Sequence, residues 1–234
     1  MALLEVAGLE AGYADESVIH DVSFRVDEGE AVAIIGSNGA GKSTLFRAVM
    51  SMVTARSGSV ELDGQVITRW STHKLSRVGL AYVPAERHLF PQMTVMENLL
   101  LGGFPRKPDR ERFDLVFGVF PRLAERRKQH AGTMSGGEQQ MIAVARALMS
   151  NPKILMLDEP TTGLAPRLAR EAYMALAQLR DAGLTLVVAE QQVPLALELS
   201  SRGYVLENGR IELTGTSADL ADNPDVQRAY LGVA

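Results

Sequence analysis

The chain has 234 residues, of which 46% are apolar and 22% are charged, and this composition is typical of a globular protein. Its formal net charge of −4 argues against a general nucleic-acid binder, and the lack of cysteine excludes disulfides, thiolate metal sites and thiol nucleophiles. No apolar run approaches the roughly 18 residues that cross a bilayer, and the first residues lack the pattern of a secretory signal. We therefore expect a chain that stays in the cytoplasm.

Short apolar runs at 31–35, 154–157 and 184–189 predict strands that are buried on both faces of a parallel sheet. Each run is followed by polar or glycine-rich residues, at the sheet edge where open α/β folds bind their ligands. Asp-Gly at 63–64 and Asn-Gly at 208–209 predict type I′ hairpins, so antiparallel strands accompany the parallel sheet. Helical apolar spacing between about 86 and 152 predicts a helical insertion.

A glycine-rich motif lies between the strand predicted at 31–35 and a helix predicted at 42–50. It has the complete pattern of a P-loop, which binds nucleotide phosphates through backbone N–H groups, a lysine and a Mg²⁺-binding hydroxyl. The helix N-terminus adds its dipole to this site. We expect Lys42 to act on the β- and γ-phosphates and Ser43 to bind Mg²⁺. The predicted nucleotide-binding residues of this loop are Gly36, Ser37, Asn38, Gly39, Ala40, Gly41, Lys42, Ser43 and Thr44.

Two adjacent carboxylates, Asp158 and Glu159, follow the strand predicted at 154–157. Neighbouring residues of a strand point in opposite directions, but this alternation relaxes where a strand ends. We therefore predict that Asp158 holds Mg²⁺ through a water molecule and that Glu159 is the general base for the attacking water. The alternative is a pair of solvated acids at a strand end. It is less favoured because the same chain contains a complete P-loop.

A second glycine motif begins at Ser135, 93 positions beyond Lys42. Ser135 and Glu138 form a capping-box pattern for the helix that follows. An ordinary helix cap is one interpretation, but Gly136 and Gly137 cost that helix roughly 1 kcal/mol each in propensity, which indicates a close approach to their backbone. The motif then offers a second phosphate-binding helix N-terminus. The two glycine motifs can serve one nucleotide only if they come from different subunits.

The order of these motifs resembles that of ATP-binding cassette (ABC) ATPases over essentially the whole chain. The resemblance implies an α/β P-loop NTPase (RecA-like) core with an antiparallel β subdomain and a helical insertion subdomain within about 86–152, in a single domain at 1–234. ATP and Mg²⁺ are the implied cofactors. In this family Ser135 and Gly137 would act in trans on the γ-phosphate held by the partner's P-loop, and Tyr13 resembles the aromatic residue that stacks on adenine. An ordinary core position is the alternative for Tyr13.

Two positions depart from the general ABC pattern. Ala85 occupies the place of the glutamine that contacts Mg²⁺ in most relatives, so either Glu86 replaces it or a water molecule does. The usual switch histidine is also missing, because none of the four histidines follows Asp158. Gln191 occupies its place and would contact the γ-phosphate without titrating, since an amide both donates and accepts hydrogen bonds.

Gln191, the segment 161–166 and the segment 229–232 are similar to a narrower group, the ATP-binding subunits of bacterial importers for branched-chain amino acids. Importers for urea or short amides share much of this pattern and remain an alternative. The resemblance implies partnership with transmembrane permease subunits, with a second ABC ATPase (this chain or a homologous one) and, indirectly, with a periplasmic or extracellular solute-binding protein. It implies no nucleic-acid partner and a peripheral location on the cytoplasmic face of the inner membrane.

Further expectations concern the contacts of such a subunit. The loop 163–166 would lie at the dimer interface, and the entry to the helical insertion at 87–91 would contact the permease or pack against the core. A non-transport ABC protein is a less favoured alternative, because the short spacing between the two glycine motifs leaves no room for a long coiled coil. A P-loop kinase would not explain the second motif.

Overall fold

The computed structural model describes residues 2–104 and 107–231, so Gly232 of the predicted segment 229–232 lies outside the described residues. The strands are β1 (Ala2–Tyr13), β2 (Glu16–Asp27), β3 (Ala31–Ile35), β4 (Ala55–Leu62), β5 (Gln65–Val66), β6 (Leu80–Val83), β7 (Ile154–Asp158), β8 (Thr185–Glu190), β9 (Arg202–Glu207) and β10 (Arg210–Thr216). The α-helices are α1 (Lys42–Val49), α2 (Thr72–Arg77), α3 (Val95–Gly102), α4 (Arg110–Val119), α5 (Pro121–Glu125), α6 (Gly136–Leu148), α7 (Pro166–Asp181), α8 (Val193–Leu199), α9 (Ser217–Asp222) and α10 (Pro224–Val226). A 3₁₀ turn at Ala131–Thr133 and a π-helical turn at Gln227–Leu231 complete the described elements.

The central sheet has six strands in the order β10-β9-β3-β8-β7-β6, with all pairs parallel except β9–β10. The three strands predicted at 31–35, 154–157 and 184–189 are β3, β7 and β8, which lie side by side and are fully buried. Their carboxyl ends therefore meet at one edge of the sheet. The α/β prediction with a parallel core is confirmed.

Consecutive residues of the central strands pack into different cores, as the period of two in a strand requires. In β7, Ile154 and Met156 join a core with the antiparallel sheet and α1, whereas Leu155 and Leu157 join a core with the helices. The antiparallel sheet has the order β2-β1-β4-β5. The parallel sheet is thus covered by a second sheet and α1 on one face and by helices on the other.

Both predicted hairpin turns are confirmed, although they belong to different sheets. The turn at Asp63 and Gly64 joins β4 to β5 in the antiparallel sheet, with φ of 53° and 72°. The turn at Asn208 and Gly209, with φ of 47° and 75°, joins β9 to β10 and extends the parallel sheet instead. Positive φ at both central residues is the requirement of a type I′ turn.

The segment between residues 86 and 152 contains the helices α3 to α6. Its apolar residues Leu99, Val116 and Ile142 lie in the same core as Leu155 and Leu157 of β7. The helices therefore depend on the face of the parallel sheet for their burial. The limits of this insertion, and the single domain at 1–234, stay predictions. Over residues 2–104 and 107–231, no helix combines the length and apolarity needed to cross a bilayer.

The two hairpin glycines give a matched test of close packing. A Cβ at Gly209 would collide with the carbonyl oxygen of Val18, whereas a Cβ at Gly64 would meet nothing within 4 Å. Both residues have nearly the same positive φ, which costs an L-residue about 1–2 kcal/mol. We expect Gly64→Ala to lower the free energy of unfolding by about that amount and Gly209→Ala by about 1–3 kcal/mol more, because its neighbour must move. Urea unfolding measures both, and equal losses would contradict this account of the packing.

Candidate functional site

The loop between β3 and α1 leaves the N-terminus of α1 available to an anion. The N-cap Gly41 provides no side-chain hydrogen bond, and the first turn of α1 has no acidic residue. The first N–H groups of a helix have no partner within the helix. Together with the helix dipole they favour a bound phosphate group at this position.

Different physical reasons require glycine at the different positions of this loop. A Cβ at Gly36 would collide with the carbonyl oxygen of Leu206, and a Cβ at Gly41 would lie 2.9 Å from the Cδ1 atom of Ile19. Gly39 has φ of +83° and open space where its Cβ would be. Gly36 and Gly41 therefore allow the loop to pack against its own fold, and Gly39 leaves a face of the loop open to a ligand.

Lys42 is only 3% exposed, and its ammonium is held by three oxygen atoms. Its Nζ donates hydrogen bonds to the carbonyl oxygens of Gly36 at 2.8 Å and Ser37 at 2.9 Å. It also forms an ion pair with Glu159, with 3.1 Å between Nζ and Oε1. The P-loop lysine and the predicted general base are therefore in direct contact.

Asp158 ends β7 and is 1% exposed. Its Oδ2 accepts a hydrogen bond from the hydroxyl of Tyr82 at 2.9 Å, and its Oδ1 has no hydrogen-bond partner among the described residues. Burial raises the pKa of Asp158, against the opposing influence of the Ser43 and Tyr82 hydroxyls. A buried carboxylate oxygen without a partner, with a serine hydroxyl beside it, suits a divalent cation that is also bound by phosphate oxygens.

Glu159 has φ of 44°, in the left-handed region, which is unusual for a residue with a side chain. Its N–H donates to the carbonyl oxygen of Ala189 at 2.8 Å, and its Oε2 accepts a hydrogen bond from the Thr162 hydroxyl at 3.0 Å. The change of backbone conformation breaks the strand alternation directly after Asp158. Both carboxylates can therefore serve the same edge of the sheet, as the sequence predicted.

Gln191 follows β8 and is exposed at the same edge. Its backbone N–H donates to the side chain of the preceding residue, Glu190, at 3.1 Å, and the carbonyl oxygen of Glu190 accepts a hydrogen bond from the N–H of Gly36 at 3.3 Å. The switch position, the P-loop and the residues after β7 are thus joined by short contacts. The role of Gln191 toward a phosphate stays a prediction.

Tyr13 is the last residue of β1 and is 48% exposed, so it is not an ordinary core residue. Its stacking on adenine stays a prediction. Arg47 of α1 lies between this residue and the position of the missing glutamine. Its guanidinium is 3.5 Å from the Tyr13 hydroxyl and 3.4 Å from Oε1 of Glu86. The carboxylate of Glu86 is therefore turned toward Arg47 at the surface. The replacement of the glutamine by Glu86 or by a water molecule stays a prediction.

The second glycine motif begins α6 as the sequence predicted. Ser135 and Glu138 form the capping box, with 2.8 Å between the serine Oγ and Oε2 of Glu138. A Cβ at Gly137 would lie 3.1 Å from Leu168 of α7, and one at Gly136 would lie 3.4 Å from the guanidinium of Arg87. In the described part of the chain, no hydrogen bond or ion pair links Ser135, Gly136 or Gly137 to the P-loop.

Several residues that shape this site were not identified from the sequence. Tyr82 positions Asp158, and Glu190 accepts hydrogen bonds from residues of two loops. Arg87 links α6 to the loop that follows β7. Its Nε donates to Oε1 of Gln140 at 3.1 Å, and its Nη2 donates to the carbonyl oxygen of Thr162 at 3.3 Å. Their common signal is a polar side chain next to a motif, which is too frequent in sequences to single them out.

A family model described as "ABC transporter" matches residues 19–162, and this match includes the P-loop, the second glycine motif and Asp158 with Glu159. The chain belongs to the ABC transporter family. It is therefore a nucleotide-binding ATPase whose activity is coupled to transport. ABC ATPases of this kind dimerise and work with transmembrane permease components.

Among characterised relatives, this ABC ATPase is 47% identical to the high-affinity branched-chain amino acid transport ATP-binding protein BraG of Pseudomonas aeruginosa, over 94% of this chain and 95% of the relative. It is 36% identical to a probable branched-chain amino acid transport ATP-binding protein, LivF, of Archaeoglobus fulgidus, over 99% of each chain. The lipopolysaccharide export ATP-binding protein LptB of Haemophilus influenzae is 33% identical over 99% of this chain and 98% of the relative.

A solved structure of an ATP-binding cassette of an ABC transporter in its ADP conformation is also similar. It superimposes with a TM-score of 0.85, is 28% identical in sequence, and the match covers 100% of each chain. The fold class predicted from the motifs is thus that of a known ABC cassette.

Gln191 leads to a prediction about pH. Because an amide does not titrate, the kcat for ATP hydrolysis should show no step near pH 6.5 that depends on this position. We expect Gln191→His to introduce such a step, with a kinetic pKa of about 6.5 unless the site shifts it. The measurement is kcat against pH for the wild type, Gln191→His and Gln191→Ala. A step near 6.5 in the wild type that is lost in Gln191→Ala would contradict the prediction.

Proposed function

We propose that this chain is the ATP-hydrolysing subunit of a membrane importer for branched-chain amino acids, acting on the cytoplasmic face of the cell membrane. The proposed ATP hydrolysis is supported by one observation: Lys42, Asp158 and Glu159 converge at one edge of the parallel sheet. The choice of solute is supported by the likeness to BraG and LivF over nearly the whole chain. Urea or amide import is the competing choice of solute.

The residues at this edge have separate roles in our proposal. Ser43 and Asp158 would hold Mg²⁺, which supplies neutralisation of phosphate charge when it is bound. Lys42 would bind the β- and γ-phosphates, whose oxygens compete with the carbonyls of Gly36 and Ser37 for its ammonium. Among the described residues there is no group of three or more His, Cys, Asp or Glu that could hold a metal ion. Phosphate oxygens and water would complete the coordination that Ser43 and Asp158 begin.

Transfer of the Lys42 ammonium to phosphate also affects Glu159. The ion pair between these residues weakens when phosphate oxygens replace the Glu159 oxygen as partners of the ammonium. The Glu159 carboxylate is then free to accept a proton from the attacking water. Gln191 at the neighbouring strand end would orient that water or the γ-phosphate through its amide. Tyr13 would stack on the adenine.

The second glycine motif would complete the site of a partner subunit. The N–H of Ser135 donates to Oε2 of Glu138 at 2.9 Å within the capping box. The N–H groups of Gly136 and Gly137, at the start of α6 beside the exposed Ser135, are not directed by the contacts of this chain to its own P-loop. We propose that they bind the γ-phosphate held by a second ABC ATPase, which is either this chain or a homologous one. Two nucleotides would then lie between two chains.

A cleft of about 460 Å³ beside the helical segment is the proposed contact for permease subunits. Its lining includes the exposed Met52, Phe90 and Leu101, with the guanidinium of Arg146 located 5.9 Å from the Phe90 ring centroid. Leu89 is partly buried against the helical core, so it is Phe90 that faces the cleft. The transported solute would be bound by the other chains of the complex, including a solute-binding protein outside the membrane.

The test uses the complete transporter, purified with its permease subunits and reconstituted in proteoliposomes with its solute-binding protein. We expect leucine to stimulate both ATP hydrolysis and uptake, and urea to stimulate neither. Glu159→Gln should lower kcat by about 10²- to 10⁴-fold, because the general base is removed. ATP should remain bound, because Lys42 and the N-terminus of α1 are retained. The control is Glu28→Gln, which changes an exposed acidic residue in the turn between β2 and β3, at the opposite end of β3 from the site.

Three results would contradict the proposal in different ways. Near-normal hydrolysis by Glu159→Gln would exclude the assigned base. Stimulation by urea and not by leucine would assign the chain to the competing class of importer. Copurification with ribosomes or DNA in place of membrane-spanning proteins would exclude a role in transport.

A further inference from the structure

The carboxylate of Glu190 accepts hydrogen bonds from two loops at the strand ends, and no step of the proposed reaction uses it. Glu190 is the last residue of β8 and is 1% exposed. Its Oε1 accepts hydrogen bonds from the hydroxyl of Thr161 at 2.6 Å and from the N–H of Thr161 at 3.3 Å. Its Oε2 accepts from the N–H groups of Gln191 at 3.1 Å and Gln192 at 3.2 Å.

These four donors belong to two different loops. Thr161 lies two residues after the predicted base, Glu159, in the loop that follows β7, and Gln191 begins the loop that follows β8. A fifth hydrogen bond, from Nε2 of Gln192 to Oγ1 of Thr161 at 3.0 Å, closes the connection directly. The backbone of Glu190 connects the P-loop to these two loops, because its carbonyl oxygen accepts a hydrogen bond from the N–H of Gly36.

The cost of burying this carboxylate indicates that the arrangement is more than packing. Burial raises the pKa of Glu190, against the opposing hydrogen bonds of Thr161, Gln192 and Gln191. The nearby Tyr173 of α7 has a buried hydroxyl without a hydrogen-bond partner among the described residues, and its pKa is raised by burial and by the charge of Glu190. A buried acid without a cationic partner in these contacts is usually less stable than an apolar or amide side chain of the same size.

We propose that Glu190 is a positioning residue that holds the base, Glu159, and the γ-phosphate contact, Gln191, in one rigid unit. This inference rests on the proposed function, since it assigns Glu190 a role through those two residues. A carboxylate is the side chain that this position needs, because all four groups directed at it are donors and each of its oxygens can accept two of them. A glutamine would turn its NH₂ group toward one pair of N–H or O–H donors.

The consequence is a selective effect on the chemical step. Lys42 and the N-terminus of α1, which would bind the phosphates, make no side-chain contact with Glu190. Loss of the carboxylate should therefore leave ATP affinity intact and displace the two catalytic loops relative to each other. A displacement of about 1 Å between positioned groups can lower a rate by about 10²-fold.

The experiment measures kcat, the Kd for ATP and the melting temperature of the full chain in its transporter complex for Glu190→Gln and Glu190→Asp. We expect Glu190→Gln to lower kcat by about 10- to 100-fold and to change the Kd for ATP by less than about twofold. Glu190→Asp retains the charge and should recover part of the rate. Glu30→Gln is the matched control, since Glu30 also accepts several hydrogen bonds while partly buried, but at the opposite end of β3.

A double-mutant cycle with Gln191→Ala separates positioning from general loss of structure. If Glu190 acts through Gln191, the double variant should have a kcat no lower than about that of the slower single variant. Multiplied losses, or a kcat within about twofold of the wild type in Glu190→Gln, would overturn the proposal. Equal losses of kcat in Glu30→Gln and Glu190→Gln at equal melting temperatures would also overturn it.

Amide hydrogen exchange tests the same link without using catalysis. In Glu190→Ala, exchange at Thr161, Gln191 and Gln192 should accelerate together, because all three N–H groups lose the carboxylate that accepts their hydrogen bonds. Unchanged exchange in either loop, the one after β7 or the one after β8, would overturn the proposal even if the variant were inactive. An inactive wild-type complex with coupled exchange would instead mean that the proposed function is wrong and that the link between the loops is real.

Discussion

The buried ammonium of Lys42 is the interaction on which the rest of the site depends. Removing an ammonium and a carboxylate from water costs on the order of several kcal/mol per ion, and the attraction between them offsets this only with good geometry and further hydrogen bonds. Lys42 meets both conditions through Glu159 and the two carbonyl oxygens of its own loop. This arrangement requires β3 and β7 to end at the same edge of the sheet, which β8 between them ensures.

That edge also explains why the site responds to phosphate. Every group that contacts the Lys42 ammonium is an oxygen that a phosphate oxygen can replace, and the N-terminus of α1 adds uncapped N–H groups beside it. The left-handed backbone of Glu159 keeps its carboxylate in place while Asp158 stays buried beneath it. Strained backbone of this kind is found where the surrounding structure holds it for a functional reason. Among the described residues, the second glycine motif, at the start of α6, has no hydrogen bond or ion pair to the P-loop of its own chain.

The sequence was sufficient to predict the parts of the fold with strong local signals. The buried strands β3, β7 and β8, the two type I′ hairpins and the glycine loop before α1 are each specified by residues within a few positions of one another. Tyr82 and Glu190 could not be found in this way, because their partners Asp158 and Thr161 are 76 and 29 positions away in the chain. The phosphate-binding role of Gly36 stays a prediction, and its sequence motif gave no sign of the second reason for a glycine there, which is the close approach of the Leu206 carbonyl oxygen from β9.

The most direct test of the central claim is a crystal structure of the Glu159→Gln variant with ATP and Mg²⁺. We expect Nζ of Lys42 to leave the carbonyl oxygens of Gly36 and Ser37 and to bind the β- and γ-phosphates. We also expect Mg²⁺ within reach of Ser43 and Asp158, and the γ-phosphate covered by Ser135 to Gly137 of a second chain. A nucleotide bound without contact to Lys42, or enclosed by one chain alone, would contradict the central claim.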